Sequence, residues 1–170
     1  MVQDIKIRKA KPGDEIGVAN LFKIGLERKE FLYTGTNKPK TKKEIKKMRK
    51  DYSQSNKFIF IAVNNQKKKI IGCSSFEFKK KGRISHVGEM GWIIHPDYQK
   101  KGIATVLLQT ILSYAKKKAL KRAEAEIAIE NKASIKLAKK LGFKIEGRKK
   151  KAFLTDDGRY IDMYVVGKWL

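Results

Sequence analysis

The chain has 170 residues, 41% of them hydrophobic, and 41 Lys+Arg against 17 Asp+Glu give a formal net charge of +24. That length suits one domain with a continuous core, and no apolar run approaches the roughly 18 to 20 residues of a membrane-spanning helix. Cys73 as the only cysteine excludes an internal disulfide framework, and His86 and His95 as the only histidines leave no expected metal site, so catalysis would fall to carboxylates, hydroxyls and backbone dipoles.

Residues 5–10 alternate with period two before Lys11-Pro12-Gly13-Asp14 stops them, predicting a strand and then a helix N-cap. The helix is expected to carry Val18, Leu21, Phe22 and Leu26. Residues 34–39, polar with Gly35 and Pro39, read as a loop where a lid can sit, and residues 41–52 read as a lysine-rich helix. Two apolar runs, 58–63 and 70–78, flank a polar 64–69 segment in the pattern of an antiparallel hairpin. A third strand is expected over 84–95.

Ile103, Leu107, Ile111 and Ala115 share one helical stripe, Ala125, Ile127 and Ile129 one strand face, and Ile135, Leu137, Ala138 and Leu141 a short helix. Strands over 143–151 and 160–169 close the chain across the Thr155-Asp156-Asp157-Gly158 turn. A strand meander followed by helix–strand alternation, without repeat or linker, predicts an α/β (α+β) fold in one domain, 1–170.

The most informative segment follows Trp92-Ile93-Ile94-His95, where Pro96 halts the ladder and Asp97-Tyr98-Gln99-Lys100-Lys101-Gly102-Ile103-Ala104-Thr105 opens an amphipathic helix. A helix start exposes unpaired N–H groups and a partial positive charge, which suits an anion. Gly102 and Ala104 allow close approach of a phosphate, and Gln99 can donate from its side chain. A glycine that merely eases the turn is an equally good reading of these residues alone. A Walker loop is excluded because its Gly-Lys-Ser/Thr sequence is absent, and a dinucleotide fold is disfavoured because antiparallel hairpins precede the turn.

The segment from His95 to Ala104 resembles the Gln/Arg-x-x-Gly-x-Gly/Ala signature of the GNAT superfamily of N-acetyltransferases. A second block, from Asn131-Lys132-Ala133-Ser134 through Leu141-Gly142-Phe143, is similar to that superfamily's Asn-x-x-Ala/Ser-x-x-Leu-Tyr-x-x-x-Gly-Phe segment. The resemblance implies a mixed, mostly antiparallel central sheet, splayed in the middle and flanked by about four helices, with acetyl-CoA as co-substrate and no metal. It implies pantetheine contacts along Trp92, Ile93 and Ile94. Pyrophosphate contacts are implied at Gln99, Lys100, Lys101, Gly102, Ile103, Ala104 and Thr105, and a further cofactor contact at Asn131. For Lys100 and Lys101, plain solvated lysines are an equal alternative.

Acetyl transfer from a thioester to an amine needs a base, donors for the oxyanion and a proton for the thiolate. Glu89, on the strand that would carry the thioester, is the expected base, a solvent-facing glutamate being the alternative. Ala138 stands where the family's second motif puts tyrosine, so Tyr160, Tyr164 or water would have to protonate the thiolate. A core cysteine is the better reading of Cys73 than an acyl relay. His86 and Asp162 are candidate substrate contacts.

The expected acceptor is a primary amine: a free amino acid, a small amine or a protein N-terminus. Polycationic acceptors are disfavoured by the net charge unless the cleft is locally acidic, which Glu124, Glu126 and Glu130, on one strand face, can supply. The alternative is a catalytically weak acetyl-CoA sensor or a basic ribosome- or RNA-associated module. Nucleic-acid contact is not favoured because the lysines are scattered and no motif with interleaved aromatics appears. No membrane partner is expected, a homodimer is left open, and the absence of an N-terminal secretory h-region makes the cytoplasm the expected address.

Overall fold

The computed structural model describes residues 4–28 and 38–170. In chain order the elements are β1 (Ile5–Lys9), α1 (Glu15–Glu27), α2 (Lys42–Asp51), β2 (Lys57–Asn64), β3 (Lys69–Phe78), β4 (Val87–Ile94), α3 (Ile103–Lys117), β5 (Arg122–Ala128), α4 (Lys132–Lys140), β6 (Lys144–Leu154) and β7 (Tyr160–Trp169). The expected loop at 34–37, and the lid with it, falls outside the described residues. Among the described residues no helix is long and apolar enough to cross a membrane.

The strands form one sheet in the order β1-β2-β3-β4-β5-β7-β6. Every neighbouring pair is antiparallel except β4 with β5. Period-two alternation splits the core between the two faces. Phe58, Phe60, Ile71, Phe76, Met90 and Ile94 pack under α3, whose Ile103, Leu107, Leu108 and Ile111 are almost wholly buried. On the other face Ile59, Ile61, Cys73 and Ile93 meet Val18 and Leu21 of α1 and Tyr52 at the end of α2. Each fully buried Leu or Ile of α3 contributes roughly 1.5–3 kcal/mol, which fixes that helix firmly against the sheet.

Local chemistry explains most element ends. Thr41 caps α2 in a reciprocal box with Glu44, its hydroxyl accepting the Glu44 N–H at 3.3 Å while the Glu44 carboxylate accepts the Thr41 N–H at 2.7 Å. Asp14 does begin α1 but does not cap it with its side chain. Its carboxylate instead takes both forks of Arg8, at 2.7 and 2.8 Å, and the Lys11 N–H. Burial works against the Asp14 charge, yet the Arg8 and Lys11 hydrogen bonds outweigh it and hold the carboxyl below the usual range.

Two expected boundaries move. The third strand starts at Val87, not residue 84, because Gly82 adopts a left-handed φ of 96° and residues 82–87 wind into turns, Ser85 N–H reaching Gly82 O and Val87 N–H reaching Ile84 O. β5 stops at Ala128, where Asn131 N–H turns back to the Ala128 carbonyl at 2.9 Å, so Ile129 follows the strand.

The parallel pairing of β4 and β5 lasts only three positions, Val87 with Arg122, Gly88 with Ala123 and Glu89 with Glu124. Beyond it β4 continues along β3 to Ile94 and β5 continues along β7 to Ala128, so the sheet opens between them. Gly88 lies at this junction beneath Phe76, a fully buried ring stacked on Phe58 with centroids 5.0 Å apart. Phe58 in turn meets Tyr114 of α3 edge-on at 4.9 Å. A Cβ at position 88 would overlap the Phe76 ring. Gly88→Ala is therefore expected to cost about 2 kcal/mol, seen as a Tm lowered by about 4–8 °C in a thermal melt; an unchanged Tm would contradict the tight seating of Phe76.

Candidate active site

The opening between β4 and β5 holds a cavity of about 1270 Å³. Of the residues singled out in the sequence, Glu89, Trp92, Ile93, Ile94, Gln99, Lys100, Gly102, Ile103, Ala104, Thr105 and Asn131 line it. Lys101, His86, Tyr160, Tyr164 and Asp162 are not among its lining residues.

At one end, a single 3-10 turn, Pro96–Tyr98, leads from β4 into α3. Lys100 and Gly102 both take left-handed φ, 59° and 79°. Gly102 is the N-cap of α3 and supplies no side-chain cap, so the first N–H groups of the helix have no partner from it. A Cβ at Gly102 would meet nothing within 4 Å, leaving open space over those donors. Gln99 donates weakly to the Ile94 carbonyl at 3.4 Å. Lys101 turns away, its ammonium donating to the Asp97 carbonyl at 2.8 Å and resting over the Tyr98 ring. At α4, the Asn131 Oδ1 accepts the Ser134 N–H at 3.0 Å, which commits its oxygen to capping and leaves its amide N–H groups as donors.

Along the middle, β4 from Met90 to Ile94 is paired with β3 on one edge only. Ser74, almost fully buried, donates to the Gly91 carbonyl at 2.9 Å and fixes the backbone there. Cys73 lines this wall but is itself buried, and burial pushes its thiol up to about 12 despite the nearby Lys57 cation. It is a poor nucleophile at neutral pH.

At the other end Glu89 is exposed to the cavity, with no side-chain hydrogen bond or ion pair among the described residues. Two other carboxylates belong to this wall, Glu124, expected as a source of local acidity, and Glu77, which no sequence signal marks. Glu77 of β3 lies directly opposite Glu89, and Glu124 of β5 lies opposite it on the other side. Their positions follow from strand parity, but only once the register is known. Glu126 also lines the cavity and is paired with Lys149, whereas Glu130 lies beyond β5 and pairs with Arg159 at 3.1 Å.

Ala138, on the inner side of α4, is buried in the core. Tyr160 is 65% exposed, and Tyr164 packs against the α3-side core. Asp162 is held by Arg148 and by the Lys151 N–H at 2.8 Å. The His86 carbonyl accepts the Lys121 and Arg122 N–H groups while its ring stacks on Trp169, so it ties β4 to the start of β5. Among the described residues Tyr98 is the tyrosine that lines the cavity, at the turn rather than beside Glu89.

The acetyltransferase (GNAT) domain profile matches residues 4–144. The chain belongs to the GNAT acetyltransferase family. It is 28% identical over 100 residues to the L-amino acid N-acetyltransferase AaaT of Escherichia coli, a match covering 58% of this chain and 61% of that protein. The chain spans less than two thirds of the length of the curated relatives it matches. The crystal structure of a GNAT-family acetyltransferase from Streptococcus pneumoniae superposes with a TM-score of 0.86 at 25% identity, covering 98% of this chain and 99% of that one. The fold is shared too by yncA of Salmonella typhimurium, solved with its cofactor acetyl-CoA, with a TM-score of 0.85 at 18% identity, covering 98% and 94% of the two chains.

In this GNAT domain the turn between β4 and α3 rests on the buried His95. Lys69 Nζ lies 2.8 Å from His95 Nε2, and His95 Nδ1 accepts the Asp97 N–H at 3.3 Å, so a donor faces each ring nitrogen. Burial first, and then the Lys69 charge, lower the His95 pKa below its usual value. The unfolded chain, titrating near about 6.5, takes up this proton before the folded one as pH falls. His95 therefore contributes stability that is present above that value and lost as pH drops through and below it. The urea midpoint is expected to fall between about pH 7.5 and 5.5, and less steeply in His95→Asn; equal slopes would show that His95 titrates alike in both states.

Proposed function

We propose that this chain is an acetyl-CoA-dependent N-acetyltransferase that acetylates a primary amine by direct attack. The observation that carries the reading is the conjunction, in one cavity, of the uncapped α3 N-terminus behind Gly102, the single-sided edge of β4 and the unpaired Glu89. The residues fit the cofactor: open space over N–H donors suits a pyrophosphate, and a free strand edge suits an amide-bearing arm.

In this reading the N–H groups of Ile103, Ala104 and Thr105 hold the pyrophosphate, with Lys100 adding charge. The backbone of Trp92 to Ile94 orients the arm, and the Asn131 amide donates from the facing helix. Acetyl-CoA supplies an activated acetyl group as a thioester. Glu89 attracts the acceptor's ammonium and takes a proton from it, which frees the nitrogen lone pair to attack the thioester carbonyl. The name of the Escherichia coli relative, an L-amino acid N-acetyltransferase, supports an amine acceptor. With Ala138 buried, a proton for the departing thiolate comes from solvent, and a thiol pKa near about 8.5 makes the thiolate a tolerable leaving group unassisted.

A second reading, a catalytically weak acetyl-CoA sensor, is favoured by one observation: among the described residues no tyrosine lines the cavity beside Glu89. Turnover separates the two. Calorimetry is expected to show acetyl-CoA binding, weakened at least about tenfold in Gly102→Val, whose Cβ would enter the open space and whose φ is strained. A thiol-release assay over an amine panel is expected to show turnover that falls about 10²–10³-fold in Glu89→Gln with acetyl-CoA affinity retained. Failure to bind coenzyme A sinks the proposal, and binding without turnover leaves the sensor.

A further inference from the structure

We infer that the acceptor is a small amine bearing a second cationic centre, selected by a row of carboxylates across the acceptor wall of the cavity. The inference rests on the acetyl-transfer reading for the identity of the site, and the wall itself is read from strand register.

Glu77, Glu89 and Glu124 occupy directly opposed positions on β3, β4 and β5. They share the sheet face of Cys73 and Ile93, opposite the face that carries α3. Side chains opposed in this way lie roughly 4.5–5.5 Å apart at Cβ, and like charges there are destabilising. In a chain with 41 cationic residues, placing a lysine in such a row would cost nothing in supply. The cations that do approach are shared outward. Lys57, opposite Glu77 on β2, bridges Glu77 and Asp51, each at 3.3 Å. Arg122 bridges Glu124, at 2.8 Å, and Glu146. Four carboxylates are thus served by two cations, and Glu89, in the centre, is served by neither.

The cavity is polarised along its length. Of the four lysines among the described residues that line it, Lys100, Lys136 and Lys140 belong to the phosphate turn and α4, while Lys79 follows the end of β3. A low-dielectric cleft focuses such a field, so an acidic wall persists inside a protein whose overall charge is +24. The carboxylates are spread along a row rather than converged on a point, and no group of three or more His, Cys, Asp or Glu among the described residues is placed to hold a metal ion. A row suits an extended organic dication: one ammonium beside Glu89 for acetylation, the other beside Glu77 or Glu124. A free amino acid would instead bring its own carboxylate against this wall.

The test compares three acceptors of equal reach: a four-carbon diamine, the four-carbon monoamine and the four-carbon ω-amino acid. Each is titrated calorimetrically into the whole chain and then assayed for thiol release with acetyl-CoA. The diamine is expected to exceed the monoamine by about tenfold or more in affinity and in kcat/KM, with the amino acid weakest and the preference shrinking as salt is raised. In Glu77→Gln and Glu124→Gln the diamine-to-monoamine ratio is expected to fall several-fold, with acetyl-CoA affinity as the check on folding. Equal handling of diamine and monoamine, a preference for the amino acid, or a ratio untouched by both substitutions would overturn the inference. A diamine preference in the calorimeter without thiol release from any acceptor would uphold the acidic wall and overturn acetyl transfer, so the two failures are separable.

Discussion

Two hydrogen-bonded ladders compete for the middle of this sheet, and the short truce between them at residues 87–89 and 122–124 organises everything else. β4 is committed to β3 over seven register positions and β5 to β7 over seven, so neither can follow the other once their directions diverge. The cost is a strand edge without a partner, which in a closed core would leave buried polar groups unsatisfied. Opening that edge onto a cavity avoids the cost. The helix that follows β4 then begins at the cavity's far end, so donors from a strand and from a helix start face the same space.

The same separation distributes chemistry between walls. β4 contributes Glu89 from one face and Met90 and Ile94, which pack under α3, from the other. Its alternation thus serves the cavity and the core at once. Gly88 permits this by letting Phe76 lie across the strand where pairing ends. A bulky residue at that point would lift the aromatic stack that seats α3, and with it the turn that carries Gly102.

Much of this was legible in the sequence because its signals are local. Period-two runs marked the hairpin of β2 and β3, the 3.6-residue stripe of Ile103, Leu107, Ile111 and Ala115 marked α3, and the strand-turn-helix grammar around Gly102 marked the turn where we propose the pyrophosphate sits. What escaped depended on pairing between distant segments. Glu124 was marked as a source of acidity but not placed, and Glu77 was not marked; they lie 47 positions apart in the chain and meet through Glu89 only because of the register of two separate strand pairs, one antiparallel and one parallel. Lys101 was indistinguishable from Lys100 by composition. Backbone geometry at the turn sends one to Asp97 and Tyr98 and leaves the other at the cavity. Tyr160, Tyr164, His86 and Asp162 were singled out by residue type, and each is occupied by exposure, packing or pairing elsewhere.

The shared cations Lys57 and Arg122 make the outer carboxylates partners at a distance. Asp51 competes with Glu77 for one ammonium, and Glu146 competes with Glu124 for one guanidinium, yet neither competitor lines the cavity. Loss of a competitor returns its cation to the inner carboxylate and dims the wall; strengthening the competitor brightens it. The polarity of the acceptor pocket is therefore adjustable from the protein's periphery, so that drift at two surface positions can retune selectivity while the reacting groups stay unaltered.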